Sequence, residues 1–417
     1  MGMNVKALLT DVLREIKPKD KHIEREAATM LRRINEQLKK DKLKAKAMSG
    51  GSIAKNTYLV YDHDCDIFVQ FDQKYCDEDI AALLGSSLRK IFPSLITLHG
   101  SRDYYQLRNK LNFEIVPVLA IKKAQDAINI TDCSPLHVAW VKKFPKLADE
   151  IRLTRAFCKA NGVYGAESYI QGFSGHVIDV ITIYYGGFLH LLKAAQKWKE
   201  KTVVDYYNIH KGKALRYLNK SKLVSPLVVI DPIEPLRNAA ASVSQEKFYL
   251  FIQKAKEFLK HPSKEHFIKR EFSLDLLEQK AKGKKLILLK AMPTEGKEDV
   301  VGAKLLKAFT FIRDEAKQYG FTLHEAGWYW DKEHEAVYDY ILDKVPLAPS
   351  FVRQGPPVSM TTYVENFRKM HKETFVEKGR ICATIKRDHV LPENFIKSLL
   401  VHPYLKDKAK KIVITTI

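Results

Sequence analysis

The chain has 417 residues, of which 46% are hydrophobic and 29% are charged, and 70 Lys and Arg against 49 Asp and Glu give a formal net charge of +21. This length and apolar content suffice for about three domains with hydrophobic cores, and they exclude a largely disordered chain. The positive charge predicts attraction to polyanions, with nucleic acid first and an acidic membrane surface second.

The first 130 residues predict a helix that leads into a small mixed sheet. Residues 20–40 place apolar side chains on one helical face, with Asp20 as the N-cap. From Cys65 onward, apolar and other side chains alternate with period two, which is typical of a strand. A helix and two strands follow in that order at 78–92, 95–99 and 111–121.

The rest of the chain predicts a helical segment and then a mixed one. Residues 147–200 are helical in pattern and are interrupted by two glycine-rich joints, NGVYG and QGFSG. Residues 226–232 predict a short strand closed by a proline turn, before a helix at 244–259. Beyond these, short strands (284–290, 335–343, 380–386 and 411–417) alternate with helices (298–318 and 361–372). This alternation indicates an α+β C-terminal half.

The cysteines and the N-terminus indicate the compartment. The five cysteines form no CxxC pair, which fits free thiols in a reducing compartment rather than a disulfide or zinc framework. The amphipathic N-terminus lacks the apolar region of a signal peptide, and no run approaches 18 apolar residues. We therefore expect a soluble, cytoplasmic protein without a membrane segment.

Two carboxylates stand out because they follow a Gly-Ser turn in an otherwise basic chain. Period two places Asp64 and Asp66 on one face of the predicted strand, about 6.5–7 Å apart. Such a pair can share hard divalent cations, which prefer oxygen ligands. Glu114 lies in the predicted strand 111–121. If this strand pairs beside the first, three carboxylates converge in the arrangement that holds two Mg²⁺ ions for phosphoryl chemistry.

The turn itself suits a triphosphate, since small residues let backbone N–H groups and the Ser52 hydroxyl approach the phosphates. A calcium loop is excluded because Ile67 and Gln73 stand where Gly and Glu are required. A P-loop is excluded because the sequence has no GxxxxGK[ST]. A solvated acidic turn is the plain alternative, and the Gly-Ser turn together with Glu114 disfavours it.

Longer motifs extend this pattern to a known family. GGSIAKNTYL, DCDIF, FEIVPV, SPLH, KANGVYGA, GFSG, DPI…RN and VEKGR follow in the order seen in archaeal class I CCA-adding enzymes. From about residue 5 to its end, the chain resembles these polymerase β-like nucleotidyltransferases, which add C, C and A to the tRNA 3′ end without a nucleic-acid template. The resemblance implies a nucleotidyltransferase head (1–133), a mostly helical central or neck domain (134–258) and an α+β C-terminal body and tail that binds tRNA (259–417).

The resemblance also implies the roles of individual residues. Asp64, Asp66 and Glu114 become the catalytic ligands of two Mg²⁺ ions, although most relatives have Asp where this chain has Glu114. Gly51 and Ser52 become the triphosphate turn. Further nucleotide contacts are implied at Ser134, His137, Arg155 (where Lys is common in the family) and Tyr164. Lys55 is interpreted as a turn residue that can contact a phosphate of the nucleotide. Arg237 is implied to read the Watson–Crick edge of CTP or ATP, although an arginine after a strand is more often a surface ion-pair partner.

The implied reaction is attack of the tRNA 3′-hydroxyl on the α-phosphate of CTP or ATP, with release of pyrophosphate, in tRNA maturation and repair. The basic C-terminal half would contact the acceptor stem and the TΨC arm. A poly(A) polymerase-like enzyme, an enzyme that adds only C or only A, and an inactive RNA-binding protein remain alternatives. The sequence leaves open whether the chain forms a homodimer, and it assigns no role to the poorly matching segment His99–Arg108.

Overall fold

The computed structural model describes residues 5–62, 64–108, 111–269 and 272–415. The chain divides into two compact units, Met1–Arg270 and Glu271–Ile417. Both units combine helices with sheets, as the predicted α+β class requires. The first unit contains the residues expected to form the head and the central domain (1–258), together with residues 259–270, which were assigned to the C-terminal body. The domain boundaries themselves stay predictions.

The first unit begins with a head built on a five-stranded sheet. The helices of the whole first unit are α1 (Val5–Ile16), α2 (His22–Lys40), α3 (Gly51–Ala54), α4 (Ile80–Arg89), α5 (Ser134–Val141), α6 (Ala148–Ala160), α7 (Gly175–Tyr185), α8 (Phe188–Ala195), α9 (Ala214–Tyr217) and α10 (Gln245–Lys260). Its strands are β1 (Ala45–Ser49), β2 (Asp64–Phe71), β3 (Ile96–Leu98), β4 (Tyr104–Arg108), β5 (Asn112–Leu119), β6 (Thr202–Val204) and β7 (Leu227–Val229).

The head sheet has the order β1-β2-β5-β4-β3, in which β2 and β5 are parallel and the other pairs are antiparallel. The apolar side chains of α2 and α4 pack in one core with Cys65, Ile67, Val69 and Phe71 of β2. Because side chains alternate along a strand, Asp64 and Asp66 lie on the opposite face. The predicted alternation of β2 and its pairing with the strand that carries Glu114 are both confirmed.

Three details of the head differ from the sequence prediction. Strands β1 and β4 were not predicted. The alanine-rich β1 is held by its pairing with β2, and β4 occupies part of the segment to which the sequence assigned no role. The prediction of Asp20 as the N-cap of α2 is wrong. Lys21 occupies that position, and Asp20 accepts a hydrogen bond from the backbone N–H of His22 at 2.9 Å.

The middle of the chain forms a second core made mainly of helices. Aromatic side chains from α6, α8 and α10 fill it, among them Phe157, Phe188, Phe251 and Phe258, all fully buried. A two-stranded parallel sheet of β6 and β7 joins this core, and β7 leads directly into the Asp231-Pro232 turn. Of the residues described, no single helix is long and apolar enough to cross a membrane. Helices α7 and α8 reach that length only as a pair, and they meet at 91°.

The second unit contains two antiparallel sheets. Its helices are α11 (Leu274–Lys280), α12 (Glu298–Tyr319), α13 (Thr361–Met370) and α14 (Pro392–Leu399). Its strands are β8 (Lys285–Met292), β9 (Leu323–Tyr329), β10 (Ala336–Leu342), β11 (Ser350–Pro357), β12 (Thr374–Glu377), β13 (Arg380–Lys386) and β14 (Lys411–Thr415).

The larger sheet has the order β14-β8-β10-β9 and packs against α12 and α14, whereas the smaller, β11-β13-β12, packs against α13. The predicted helices and strands of this half are confirmed, although the last two positions of the predicted strand 411–417 lie outside the described residues. Strands β9, β11 and β12 and helices α11 and α14 were not predicted. The side chains of these three strands are mostly exposed and show no regular alternation of burial, so their sequence pattern is weak.

Candidate active site

The Gly50-Gly51-Ser52 turn packs directly against the carboxylate of Asp66. The backbone N–H of Gly50 donates to the carbonyl of Asp66 at 2.7 Å, which joins the turn to β2. Gly51 adopts the left-handed conformation, with φ +51°, and a Cβ added there would lie 1.6 Å from Oδ2 of Asp66. Only glycine fits this contact. The turn therefore brings the backbone next to a carboxylate, and the Ser52 hydroxyl group follows at the start of α3.

The three predicted carboxylates lie on neighbouring parallel strands. Asp66 and Glu114 are register partners, as are Asp64 and Asn112. The side-chain amide of Asn112 donates to Oδ1 of Asp64 at 3.3 Å. Asp64 is exposed, whereas Asp66 and Glu114 are half-buried. Because strands in a sheet lie about 4.8 Å apart, all three carboxylates fall within the reach of shared divalent ions.

The electrostatics of Asp66 indicate that its charge is only partly compensated within the protein. Burial raises the pKa of Asp66; the nearby cations Lys55 and Arg155 oppose this rise, and the negative charge of Asp64 adds to it. A bound cation would remove this penalty, because it stabilises the ionised form of both carboxylates. The three side chains offer carboxylate oxygens as ligands, and these fit a hard divalent ion.

Two of the predicted nucleotide contacts are held by a buried aspartate that the sequence analysis did not identify. Asp179 of α7 is fully buried and lies 2.7 Å from Nζ of Lys55. Its other oxygen lies 3.6 Å from Nη2 of Arg155. Arg155 also donates to the hydroxyl group of Tyr164 at 3.0 Å, and Lys159 lies 5.0 Å from the Tyr164 ring. Lys55, Arg155 and Tyr164 thus form one charged cluster.

A second cluster joins His137 to Arg237 through another buried aspartate. Nε2 of His137 lies 3.0 Å from both carboxylate oxygens of Asp231. Nη1 of Arg237 donates to Oδ2 of Asp231 at 2.7 Å. The ring of His176 lies against His137, with the ring centroids 4.1 Å apart. Ser134 begins α5, which carries His137, and is half-buried.

Ligand atoms of His137, His176 and Asp231 lie within 4.8 Å of one another, so this cluster has the composition of a metal site. The contacts of Asp231 favour a hydrogen-bonding role instead, because its oxygens already accept from His137, Arg237 and two backbone N–H groups. Burial opposes ionisation of Asp231, yet its hydrogen bond with His137 and the nearby ring of His176 outweigh burial and hold the pKa of Asp231 well below its usual range. Burial, with His137 alongside, lowers the pKa of His176 to about 4, so His176 is neutral at pH 7.

The sequence did contain signals for the residues that were missed. Asp179 is a charged residue inside the apolar run of α7, and a buried charge requires partners. Asp231 was part of the DPI motif, but the motif showed only a turn. His176 follows the GFSG joint, and nothing in the sequence related it to His137. Asp179 meets Lys55, and Asp231 meets His137, only through contacts that are distant along the chain.

Comparisons with known proteins agree, over most of the chain, with the family resemblance seen in the sequence motifs. Residues 149–268 match the family model for "tRNA nucleotidyltransferase, second domain", and residues 282–406 match "CCA-adding enzyme, C-terminal domain". The CCA-adding enzyme of Nanoarchaeum equitans is 33% identical over 345 residues, which cover 81% of this chain and 83% of that enzyme. The CCA-adding enzyme of Methanocaldococcus jannaschii is 28% identical over 410 residues, which cover 93% and 89%.

Solved structures share the fold at low sequence identity. A structure of Cid1, described by its RNA terminal uridylyl transferase activity, matches with a TM-score of 0.51 at 14% identity, and the match covers 65% of this chain and 98% of Cid1. Cid1 poly(U) polymerase with Mg and 3′-dATP bound matches with a TM-score of 0.50 at 16% identity, and this match covers 64% and 98%. The chain therefore contains the nucleotidyltransferase fold.

Proposed function

We propose a function from one premise: this chain belongs to the family of CCA-adding enzymes. It adds C, C and A to the 3′ end of tRNA from CTP and ATP, without a nucleic-acid template, and releases pyrophosphate. The observation that supports the chemistry best is the parallel register of Asp66 with Glu114 behind the Gly51 turn. We infer that the reaction takes place in the cytoplasm, because the cysteines are free thiols, as is typical of a reducing compartment.

We infer that Asp64, Asp66 and Glu114 hold two Mg²⁺ ions. The support is the oxygen-only donor set and the raised pKa of the Asp66 carboxyl group. When bound, such ions lower the pKa of the attacking hydroxyl group and neutralise the leaving pyrophosphate. Glu114 has one methylene more than the Asp of most relatives, and its position beside Asp66 in the sheet gives that longer side chain the same direction.

The protein's own groups bind and orient the two substrates. Backbone N–H groups of the Gly51-Ser52 turn and the Ser52 hydroxyl group would donate to the triphosphate, with Lys55 and Arg155 supplying positive charge next to it. Tyr164, Ser134 and His137 would contact the nucleotide, and the guanidinium of Arg237 would read the base edge. The tRNA 3′-oxygen then bonds to the α-phosphorus, the bond from that phosphorus to the pyrophosphate oxygen breaks, and the hydroxyl proton passes to solvent.

The second unit is proposed to hold the tRNA. Its family match is to the C-terminal domain of CCA-adding enzymes, and it carries the basic runs Lys280–Lys285 and Lys406–Lys411. Contacts of lysine and arginine with phosphates fix the register on RNA without reading its sequence. We infer that these contacts lie along the acceptor stem and the TΨC arm, because the shape of those two helices is common to all tRNAs.

Incubating the protein with tRNA that lacks its 3′ CCA, Mg²⁺ and single nucleotides tests this function. We expect CTP alone to extend the tRNA by two residues, and ATP to extend only the product that ends in CC. A long run of A would instead identify a poly(A) polymerase. Addition of C without A, or of A without C, would identify a partial enzyme. No incorporation of any nucleotide would refute the proposed function.

A further inference from the structure

The turn after β7 is organised by the buried carboxylate of Asp231. Its Oδ1 accepts hydrogen bonds from the backbone N–H groups of Ile233 at 2.9 Å and Glu234 at 3.3 Å. The backbone N–H of Asp231 in turn donates to the carbonyl of Arg237 at 3.1 Å, which closes the loop. This part of the arrangement is structural, since an aspartate side chain often caps a turn in this way.

The second oxygen of Asp231 has a different set of partners. Oδ2 accepts from Nη1 of Arg237 at 2.7 Å, whereas the Arg237 side chain keeps 34% of its surface exposed. An arginine has five N–H donors in a planar fork, so one donor can be fixed by the carboxylate while the others remain available to a ligand. Asp231 therefore fixes Arg237 from the buried side and leaves its outer edge open.

The same carboxylate also contacts helix α5, which carries Ser134 and His137. Nε2 of His137, on α5, lies 3.0 Å from both oxygens of Asp231, so the buried carboxylate joins this helix to the turn. A long arginine side chain on a turn would otherwise sample many rotamers, and ordering it on binding reduces affinity and selectivity. Recognition groups discriminate well when a supporting shell of contacts holds them in place.

We propose that Asp231 is a positioning residue for base selection, which fixes Arg237 and His137 in one hydrogen-bonded unit before the nucleotide arrives. This inference rests on the proposed function, in which Arg237 reads the base. Asp231 itself does not touch the nucleotide. Its contribution is to the choice of CTP and ATP over UTP and GTP rather than to the chemical step.

The substitution Asp231→Asn separates this role from the structural one. The amide oxygen can still accept from Ile233 and Glu234, so the turn is kept. The amide nitrogen takes the place of Oδ2. Because this nitrogen and Nη1 of Arg237 are both hydrogen-bond donors, the hydrogen bond to Arg237 is lost. We expect the preference for CTP and ATP to fall about tenfold, mostly through a higher KM for the correct nucleotides, because a well-placed base contact carries roughly that discrimination.

Asp132→Asn is the matched control. Asp132 is also fully buried, pairs with an arginine (Arg102) at 2.5 Å and accepts from backbone N–H groups, including that of Leu119 at 2.9 Å. Among the described residues, its hydrogen bonds go to Arg102 and to backbone N–H groups of residues 119, 128 and 129, none of which belongs to the two site clusters. Both variants are expected to lower the melting temperature, but only Asp231→Asn is expected to change nucleotide selection. Equal loss of selection in the two variants would overturn the proposal.

The double variant gives an independent measurement. If Asp231 acts through Arg237, then Asp231→Asn combined with Arg237→Ala should select nucleotides no worse than Arg237→Ala alone, within about twofold. A further loss in the double variant would show that Asp231 acts by another route. If Asp231→Asn does not fold, Asp231→Glu, which moves the carboxylate by one methylene, should also lower selection, and unchanged selection would contradict the proposal. The wild-type protein is measured in the same assay. If it adds CCA correctly, the proposed function holds, and a failure of the Asp231 variants then bears on this inference alone.

Discussion

Gly51→Ala tests whether the contact between the turn and Asp66 serves catalysis. The added Cβ would lie 1.6 Å from Oδ2 of Asp66, whereas non-bonded atoms separate to more than 3 Å. The Asp66 carboxylate must therefore move by about 1.5 Å or more. Since a misplacement of about 1 Å in an active site can reduce the rate roughly 100-fold, we expect kcat to fall at least that far.

The control for this variant is Gly212→Ala. Gly212 also has a positive φ, +75°, but an added Cβ would meet nothing within 4 Å. Both variants share the strain of a left-handed alanine, about 1–2 kcal/mol. Gly51→Ala also displaces Asp66, so it should lose at least as much stability as Gly212→Ala. Single-turnover addition of CMP to tRNA, with thermal unfolding in parallel, separates the effects. If Gly51→Ala keeps the rate of Gly212→Ala, then the close contact of the turn with Asp66 has no role in catalysis.

Four further outcomes follow from the site and from the second unit. Asp66→Asn should abolish addition, keep tRNA binding and raise the melting temperature of metal-free protein near pH 7. Because the pKa of Asp66 is raised in the folded protein, its contribution to stability is complete at low pH and is lost as the pH rises through this raised pKa. The stability gained by Asp66→Asn should therefore disappear in acid. Melting curves from pH 4 to 8 measure this, and a difference in melting temperature that does not change with pH would contradict it. Glu114→Gln should be inactive whereas Glu114→Asp should keep partial activity, and wild-type incorporation by Glu114→Gln would remove Glu114 from the site. A chain ending at Lys269 keeps Phe267 in the central core and should bind tRNA more weakly, with a shallower dependence of log affinity on log salt; titration of full-length tRNA at several salt concentrations decides, and an unchanged slope would place the tRNA contacts in the first unit. Burial, with Glu325 nearby, raises the pKa of Asp339 in β10 to about 6, so Asp339→Asn should be about 1–3 kcal/mol more stable than wild type at pH 8 and should lose this advantage below pH 4, as denaturant unfolding at both pH values would show.

The elements of the fold that were predicted correctly are those in which apolar and polar residues alternate in step with the burial of their side chains. In β2, the alternation of Cys65, Ile67 and Val69 with more polar residues identified both the strand and its buried face. Strand β1 was missed because it is short and alanine-rich and is held by its backbone pairing with β2. Strand β4 was missed although its sequence has a signature: the buried Tyr105 and Leu107 alternate with more exposed residues. The N-cap of α2 was misplaced by one residue because Asp20 bonds to the N–H of His22 from outside the helix.

The candidate site shows the same division between local and distant information. The Gly-Ser turn, Asp64 and Asp66 lie within 16 residues, so the spacing along the chain was enough to relate them. The partners of His137 and Lys55 could not be predicted in this way. Asp231 lies 94 positions from His137, and Asp179 lies 124 positions from Lys55. These pairs form only when helices α5 and α7 pack in the folded protein, and a single sequence gives no signal of them.

The charges of the site explain how an acidic cluster persists in a chain of net charge +21. Lys55 and Arg155 oppose the repulsion between Asp64 and Asp66, yet both cations are themselves paired with the buried Asp179. The protein alone therefore leaves an excess of negative charge at the carboxylates. A triphosphate without metal would add to this excess, whereas two divalent ions and a triphosphate nearly neutralise each other. On the proposed function, this balance makes nucleotide binding depend on metal. It also gives Asp179 a role: its negative charge offsets part of the charge of Lys55 and Arg155, so these cations neutralise the carboxylates only in part.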